Sequence, residues 1–185
     1  TYTTDSSTIT VPDFYYAKWT NLLGGTTVDS TTFCQSRQGL LGGTNGTGAF
    51  DKGANSIDSF SGVFTVETDY SPLFSTFGIN TSNSETINLF ARSEYMFYWP
   101  ALGNIYLYEN GTIKANIVIS NQNSSQTSVR LTDTGTAIEF YIKQPGGAWT
   151  LAYTSVSAYF PNRTYYVDRV FAYDANLAQP VKIYA

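Results

Sequence analysis

Apolar and polar residues alternate over most of this 185-residue chain, and the clearest stretch is 103–117. Asn110 and Gly111 separate two alternating runs there, and an Asn-Gly pair suits the two positive-φ positions of a tight hairpin turn. A two-residue loop sets Glu109 opposite Thr112, Tyr108 opposite Ile113 and Tyr106 opposite Ala115. One face then carries Tyr106, Tyr108, Ile113, Ala115 and Ile117 and is expected to meet a core. The other carries Ile105, Leu107, Glu109, Lys114 and Asn116 and is expected to be partly wet.

The same logic extends to a meander further along. A turn at Thr134 and Gly135 pairs Leu131 with Ile138 and Val129 with Phe140, and sets Arg130 opposite Glu139 on the other face. A turn at Pro145 and Gly146 pairs Ile142 with Trp149, Phe140 with Leu151 and Ile138 with Tyr153. Both registers select the same face of the middle strand. Val129, Leu131, Ile138, Phe140, Ile142 and Leu151 are therefore expected to be buried together, with Trp149 and Tyr153.

Further strands are expected at 13–25, 60–68, 73–79, 85–93, 94–99, 165–173 and 181–184, with Pro100 stopping the fifth of these. Residues 1–12 read as a polar arm or linker remnant, 13–185 as one domain, and 35–55 as a long Gly-rich loop. About ten to twelve short strands with no helical period make this an all-β chain, an antiparallel two-sheet sandwich or barrel.

Composition sharpens the picture. Aromatic residues make up 16% and charged residues only 13%, a mix that favours half-buried pleated surfaces over helices. The formal charge of −4 and the lack of a basic run argue against nucleic acid. No run reaches membrane-spanning length, so no membrane insertion is expected. The start at Thr1, without a signal peptide, reads as a mature form or an excised domain. Cys34 has no second cysteine to pair with and reads as a small buried hydrophobe.

Several short motifs then occur in a telling order. Trp19 to Asn21 with Gly24 and Gly25 come first, then Gly53 to Ile57, then Tyr106 to Gly111. Ala137 to Ile142, Tyr153 to Ser155 and Tyr166 to Phe171 follow. In this order, over residues 14–183, the chain resembles the concanavalin A-like lectin/glucanase superfamily. It is most similar to the small jelly-roll domains of secreted bacterial and phage structural proteins. The resemblance implies a jelly-roll sandwich whose concave face or rim loops bind carbohydrate. The chain lacks the acidic metal cluster of legume lectins and the Glu-x-Asp-x-x-Glu strand of the fold's glucanases.

Chemistry is limited by what is missing. There is no histidine, which removes the commonest general base and every His-containing triad or zinc site. Glu67, Glu94, Glu109, Glu139 and Asp168 are the carboxylates that could form a glycosidase pair. An ion pair with Arg130 is the simpler account of Glu139, and a loop-capping role that of Asp168. Asp174 and Asn176 could touch calcium, but Asx turns explain such pairs. No catalytic residue, metal or cofactor is assigned.

The aromatic residues carry a binding hypothesis, because rigid rings cover the flat C–H faces of sugars at low entropic cost. Trp19 and Trp149 are assigned to the core. Tyr98 and Trp99, at a strand end marked by Pro100, and Tyr159, Phe160, Asn162 and Arg163, in a Pro-containing loop, are assigned to a ligand-binding rim. The expected function is a non-enzymatic recognition domain on a cell or virion surface that binds a glycan or receptor, as in a phage fibre tip or bacterial adhesin. A homo-oligomer formed through a fibre or parent protein would fit that setting. A glycoside-active enzyme on the same fold and a purely structural fibre or capsid module are the alternatives.

Overall fold

The computed structural model describes residues 14–23, 26–30, 39–41, 52–69, 73–82, 93–101, 103–119, 126–172 and 177–185. The expected arm at 1–12, Cys34, most of the Gly-rich loop, most of the strand at 85–93, Asp174 and Asn176 lie outside them. The described residues form strands and no α-helix.

Two antiparallel sheets face each other. The first has six strands in the order β1 (Tyr15–Tyr16), β17 (Val181–Tyr184), β7 (Phe64–Thr68), β12 (Ser128–Asp133), β13 (Ile138–Lys143) and β14 (Thr150–Thr154). The second has eight. Its main order is β11 (Thr112–Val118), β10 (Asn104–Glu109), β9 (Tyr95–Ala101), β8 (Ser75–Asn80), β15 (Thr164–Phe171), β5 (Lys52–Ser56) and β2 (Trp19–Leu23), with β6 (Phe60–Ser61) also paired to β15. A small third sheet holds β16 (Leu177–Ala178), β4 (Gly39–Leu41) and β3 (Thr27–Asp29). The single strand expected at 13–25 is two strands in different sheets: the chain crosses over at Ala17, whose N–H donates to Val181 O, while Ile57 N–H donates to Lys18 O.

The core lies between the sheets. Val66, Val129, Leu131, Ile138, Phe140 and Ile183 of the first meet Phe77, Ile79, Phe97, Ile105, Leu107 and Val167 of the second, all fully buried. Arg169 is buried with them, and its Nη2 donates to Thr68 Oγ1 across the sheets at 2.7 Å. Burial pulls its pKa down to about 9, so it keeps its charge at neutral pH.

The Asn-Gly hairpin forms as expected at its tip, with φ of 50° at Asn110 and 73° at Gly111, and with Glu109 opposite Thr112 and Tyr108 opposite Ile113. A bulge then shifts the register, so Ala115 faces Leu107 and Ile117 faces Ile105. One extra residue flips the faces beyond it. The extra residue is Lys114 of β11, so Ile113 is exposed, while Ile105, Leu107 and Glu109 on the unbroken β10 are buried, against the expectation of a wet face. Ala115 and Ile117 still pack on the core, as their sequence pattern predicts, because the bulge turns them back toward it.

In the meander β12 and β13 keep their predicted inner face but not their register. Leu131 pairs with Phe140, Val129 with Ile142 and Arg130 with Tyr141, two residues from the expected alignment. The loop is 134–137, closed by Thr134 N–H to Ala137 O and by Gly135 N–H to Asp133 Oδ1. A slip of two leaves every side chain on its own face, so periodicity alone cannot detect it. On the next strand a bulge sets Phe140 opposite Tyr153 and Tyr141 opposite Leu151, which turns Leu151 outward to 48% exposure.

Candidate binding site

The expected rim does not assemble. Trp99 is fully buried among core rings, 6.2 Å from Phe97. Pro100 does not stop its strand, which runs to Ala101: Trp99 and Pro100 together oppose Ile105 at a bulge, where a missing N–H costs nothing. Tyr98 points to the opposite side of that sheet, edge-on to Tyr106 and Tyr108 at 6.2 and 6.4 Å. In the loop after β14, Tyr159 is half-buried and donates to Asp133 Oδ1 at 2.8 Å. Phe160 is 55% exposed beneath the Arg163 guanidinium, 4.9 Å from the ring centre. Asn162 occupies a left-handed turn position with φ of 65°. Arg163 is already spent on Glu94, Nη1 to Oε2 at 2.6 Å, and Glu94 also accepts from Thr81 at 2.6 Å.

A denser arrangement lies on the outer face of the six-stranded sheet. One residue from each strand falls in register across it: Tyr16, Lys182, Glu67, Arg130, Tyr141 and Leu151. A second row runs Tyr184, Thr65, Thr132, Glu139 and Thr154. Strand alternation puts both rows on the side away from the core, because each is offset by one residue from the buried Val66, Leu131 and Phe140.

Glu67 organises the face. Its Oε2 accepts from Arg130 Nε at 3.0 Å and Nη2 at 2.6 Å, and its Oε1 accepts from the Tyr184 hydroxyl at 3.0 Å and Lys182 Nζ at 3.5 Å. Burial pushes its carboxyl up, but Arg130, Tyr184 and Lys182 together hold it below the usual carboxylate range. Burial and the Glu67 charge push Tyr184 up to about 12, so it stays a neutral donor. Arg130 in turn stacks on Trp149, its guanidinium carbon 4.1 Å from the ring centre, and the Lys143 ammonium lies 5.0 Å from the same ring. Trp149 is therefore half-buried at the surface rather than in the core. Thr65, Arg130 and Tyr184 line a shallow depression of about 250 Å³ beside it.

The sequence missed this face for a definite reason. It matched Arg130 with Glu139, its neighbour in the meander, whereas the true partner Glu67 lies 63 residues away on β7. Glu139 instead accepts from the Tyr141 hydroxyl at 2.5 Å. The Thr65, Glu67 and Tyr184 alternation in their strands was the available signal, but nothing local says that β7 neighbours β12.

The other carboxylates have structural work. Asp168 accepts from Ser93 Oγ at 2.8 Å and Asn55 Nδ2 at 3.3 Å. Glu109 clamps the loop after β14, accepting from Ser157 N–H and the Tyr153 hydroxyl, both at 2.9 Å, and Val156 N–H at 3.5 Å. Burial pushes Glu109 up, but these hydrogen bonds more than offset it and keep the carboxyl below its ordinary range. Glu109→Gln is expected to loosen that loop, with amide exchange at Val156 and Ser157 rising about tenfold or more while the core amides stay protected. Unchanged exchange there would mean that the clamp is not the carboxylate. Among the described residues no group of three metal-ligating side chains occurs.

No protein-family model matches the sequence, and a search of curated proteins finds no match. Solved structures do match in fold. The exoplasmic/lumenal domain of VIP36 in its Ca²⁺/Man-bound form has a TM-score of 0.59 and 9% identity, over 94% of this chain and 83% of that one. Lectin I-B4 from Griffonia simplicifolia, in its metal-free form, gives 0.55 and 10%, over 96% and 95%. The SPRY domain of human HERC1 gives 0.55 and 14%, over 90% and 96%.

Proposed function

The chain has the concanavalin A-like jelly-roll fold, and on that frame we propose that it is a non-catalytic recognition domain that binds carbohydrate through the outer face of its six-stranded sheet. The observation that carries the reading is the Trp149–Arg130–Glu67–Tyr184 chain of contacts beside a shallow depression. It supplies what a sugar needs: ring surfaces for C–H faces, and donors and acceptors held at fixed angles for hydroxyls. Preorganisation by Glu67 lowers the entropic cost of binding. The likeness in fold to a lectin and to a Man-bound domain supports the same class of ligand. Glu67, Glu94, Glu109 and Asp168 each accept from cations, hydroxyls or amides, which supports a binding role over an acid–base one. The setting we propose is the outside of a cell or a virion, as in a fibre tip or adhesin. There, single-site affinities on the order of micromolar to millimolar gain strength from several copies in one parent assembly.

The test is binding of the labelled protein to a glycan array, followed by titration of the best ligand. Trp149→Ala should weaken binding by roughly thirtyfold, about 2 kcal/mol, with a change in stability of only about 1 kcal/mol. Phe160→Ala should leave binding unchanged. The reverse pattern would move the site to the loop after β14, and a wild-type protein that holds no glycan sinks the reading. Release of reducing sugar from a bound oligosaccharide would overturn the non-catalytic part.

A further inference from the structure

Charge and shape on the outer face narrow the ligand. Arg130, Lys143 and Lys182 provide three cations, and Glu67, Asp69 and Glu139 three carboxylates. Arg130 and Lys182 both bind Glu67, and Lys182 also lies 3.7 Å from Asp69. Lys143 sits over the Trp149 ring. An acidic sugar would have to share Arg130 or Lys182 with carboxylates already seated on them, on a protein whose net charge is −4. Among the described residues that leaves Lys143 as the one cation of this face with no carboxylate seated on it. A sugar hydroxyl brings no further charge: it can accept a further N–H from Arg130 or Lys182 and donate to Glu139 or a threonine hydroxyl. The face is built for groups that both donate and accept.

Its outline is the second constraint. The row from Tyr16 to Leu151 crosses all six strands, so it runs about 24 Å at a spacing near 4.8 Å per strand. That spacing is close to the length of one sugar unit. Aromatic rings lie on it or beside it: Tyr16 and Tyr141 in the row, Tyr184 in the neighbouring row and Trp149 over Arg130, with Phe14 edge-on to Tyr16 at 5.4 Å. Both ends of the row, at β1 and β14, are sheet edges, so the six-stranded ladder itself sets no wall across the path.

We infer that the ligand is an uncharged, linear oligosaccharide bound along its length, lying across the strands from β1 to β14, rather than a terminal or acidic sugar. This rests on the carbohydrate reading above. Neutral gluco-, xylo- and manno-oligosaccharides, from monosaccharide to hexasaccharide, and oligogalacturonates of matched length would be titrated calorimetrically at about 0.05 and 0.5 M salt. Affinity for one neutral series should rise by at least about tenfold from the monosaccharide to the tetrasaccharide and stay within about twofold between the two salts. Tyr16→Ala, at the far end of the row from Trp149, should remove the gain from length while leaving the disaccharide affinity unchanged. A monosaccharide held as tightly as its oligomers, or a salt-sensitive preference for the uronates, overturns this inference and leaves carbohydrate binding standing. No binding to any series overturns both.

Discussion

Phe140→Ala should destabilise the protein by about 3–5 kcal/mol, the range seen when a buried aromatic leaves an unfilled cavity. Phe140 is fully buried and joins the two sheets: its ring lies 5.2 Å from Phe97 and 6.4 Å from Tyr95 on β9, and 5.6 Å from Tyr153 on its own sheet. All three contacts are edge-on or close to it, so no single neighbour can swing into the gap without breaking another. Chemical denaturation at neutral pH gives the number directly. In a chain of this size the thermal midpoint should fall by roughly 10 °C. Phe140→Leu should cost about half as much, and a loss below about 1 kcal/mol for the alanine variant would mean that Phe140 is not at the junction of the sheets.

Glu67→Gln should have the largest effect on the outer face, and its signature is its pH dependence. The substitution keeps the shape but leaves Arg130 and Lys182 without their shared counter-charge, at a cost of about 2 kcal/mol at pH 7. Glu67 has a folded pKa below its unfolded value, which is near 4.3. Its contribution is therefore fully present above that unfolded value and is lost as pH falls through the lower folded one. Urea unfolding of wild type and variant should differ by the full amount at pH 7, by most of it at pH 5, and by little once Glu67 is protonated in both states. A gap that persisted undiminished into strong acid would falsify the charge explanation. Because Glu67 also positions Arg130 and Tyr184, the variant should bind the best array ligand at least about tenfold more weakly at pH 7.

What the sequence by itself determined is which side of β12 and β13 meets the core. Val129, Leu131, Ile138, Phe140 and Ile142 are buried as their alternation predicts, because side chains on a strand switch faces at every residue and a wrong face would drown the core. The Asn110–Gly111 turn was legible for an equally local reason, since its backbone conformation suits few other residue pairs. Three things were decided only by tertiary structure. The bulges beside Tyr108, at Trp99 and Pro100, and before Tyr153 each insert one residue, and a period-two pattern carries no mark of the place where it slips. They turn Ile113 outward while Ala115 and Ile117 stay on the core, keep Trp99 inside a strand that Pro100 fails to end, and expose Leu151. The meander register was open to a slip of two, which costs no burial and is set by how the loop 134–137 closes. The candidate site itself depends on β7 lying between β17 and β12, which brings Glu67 to Arg130 and Tyr184 from distant parts of the chain. Alternation is a property of neighbours along the backbone, whereas an ion pair across a sheet depends on which strands the whole core has drawn together.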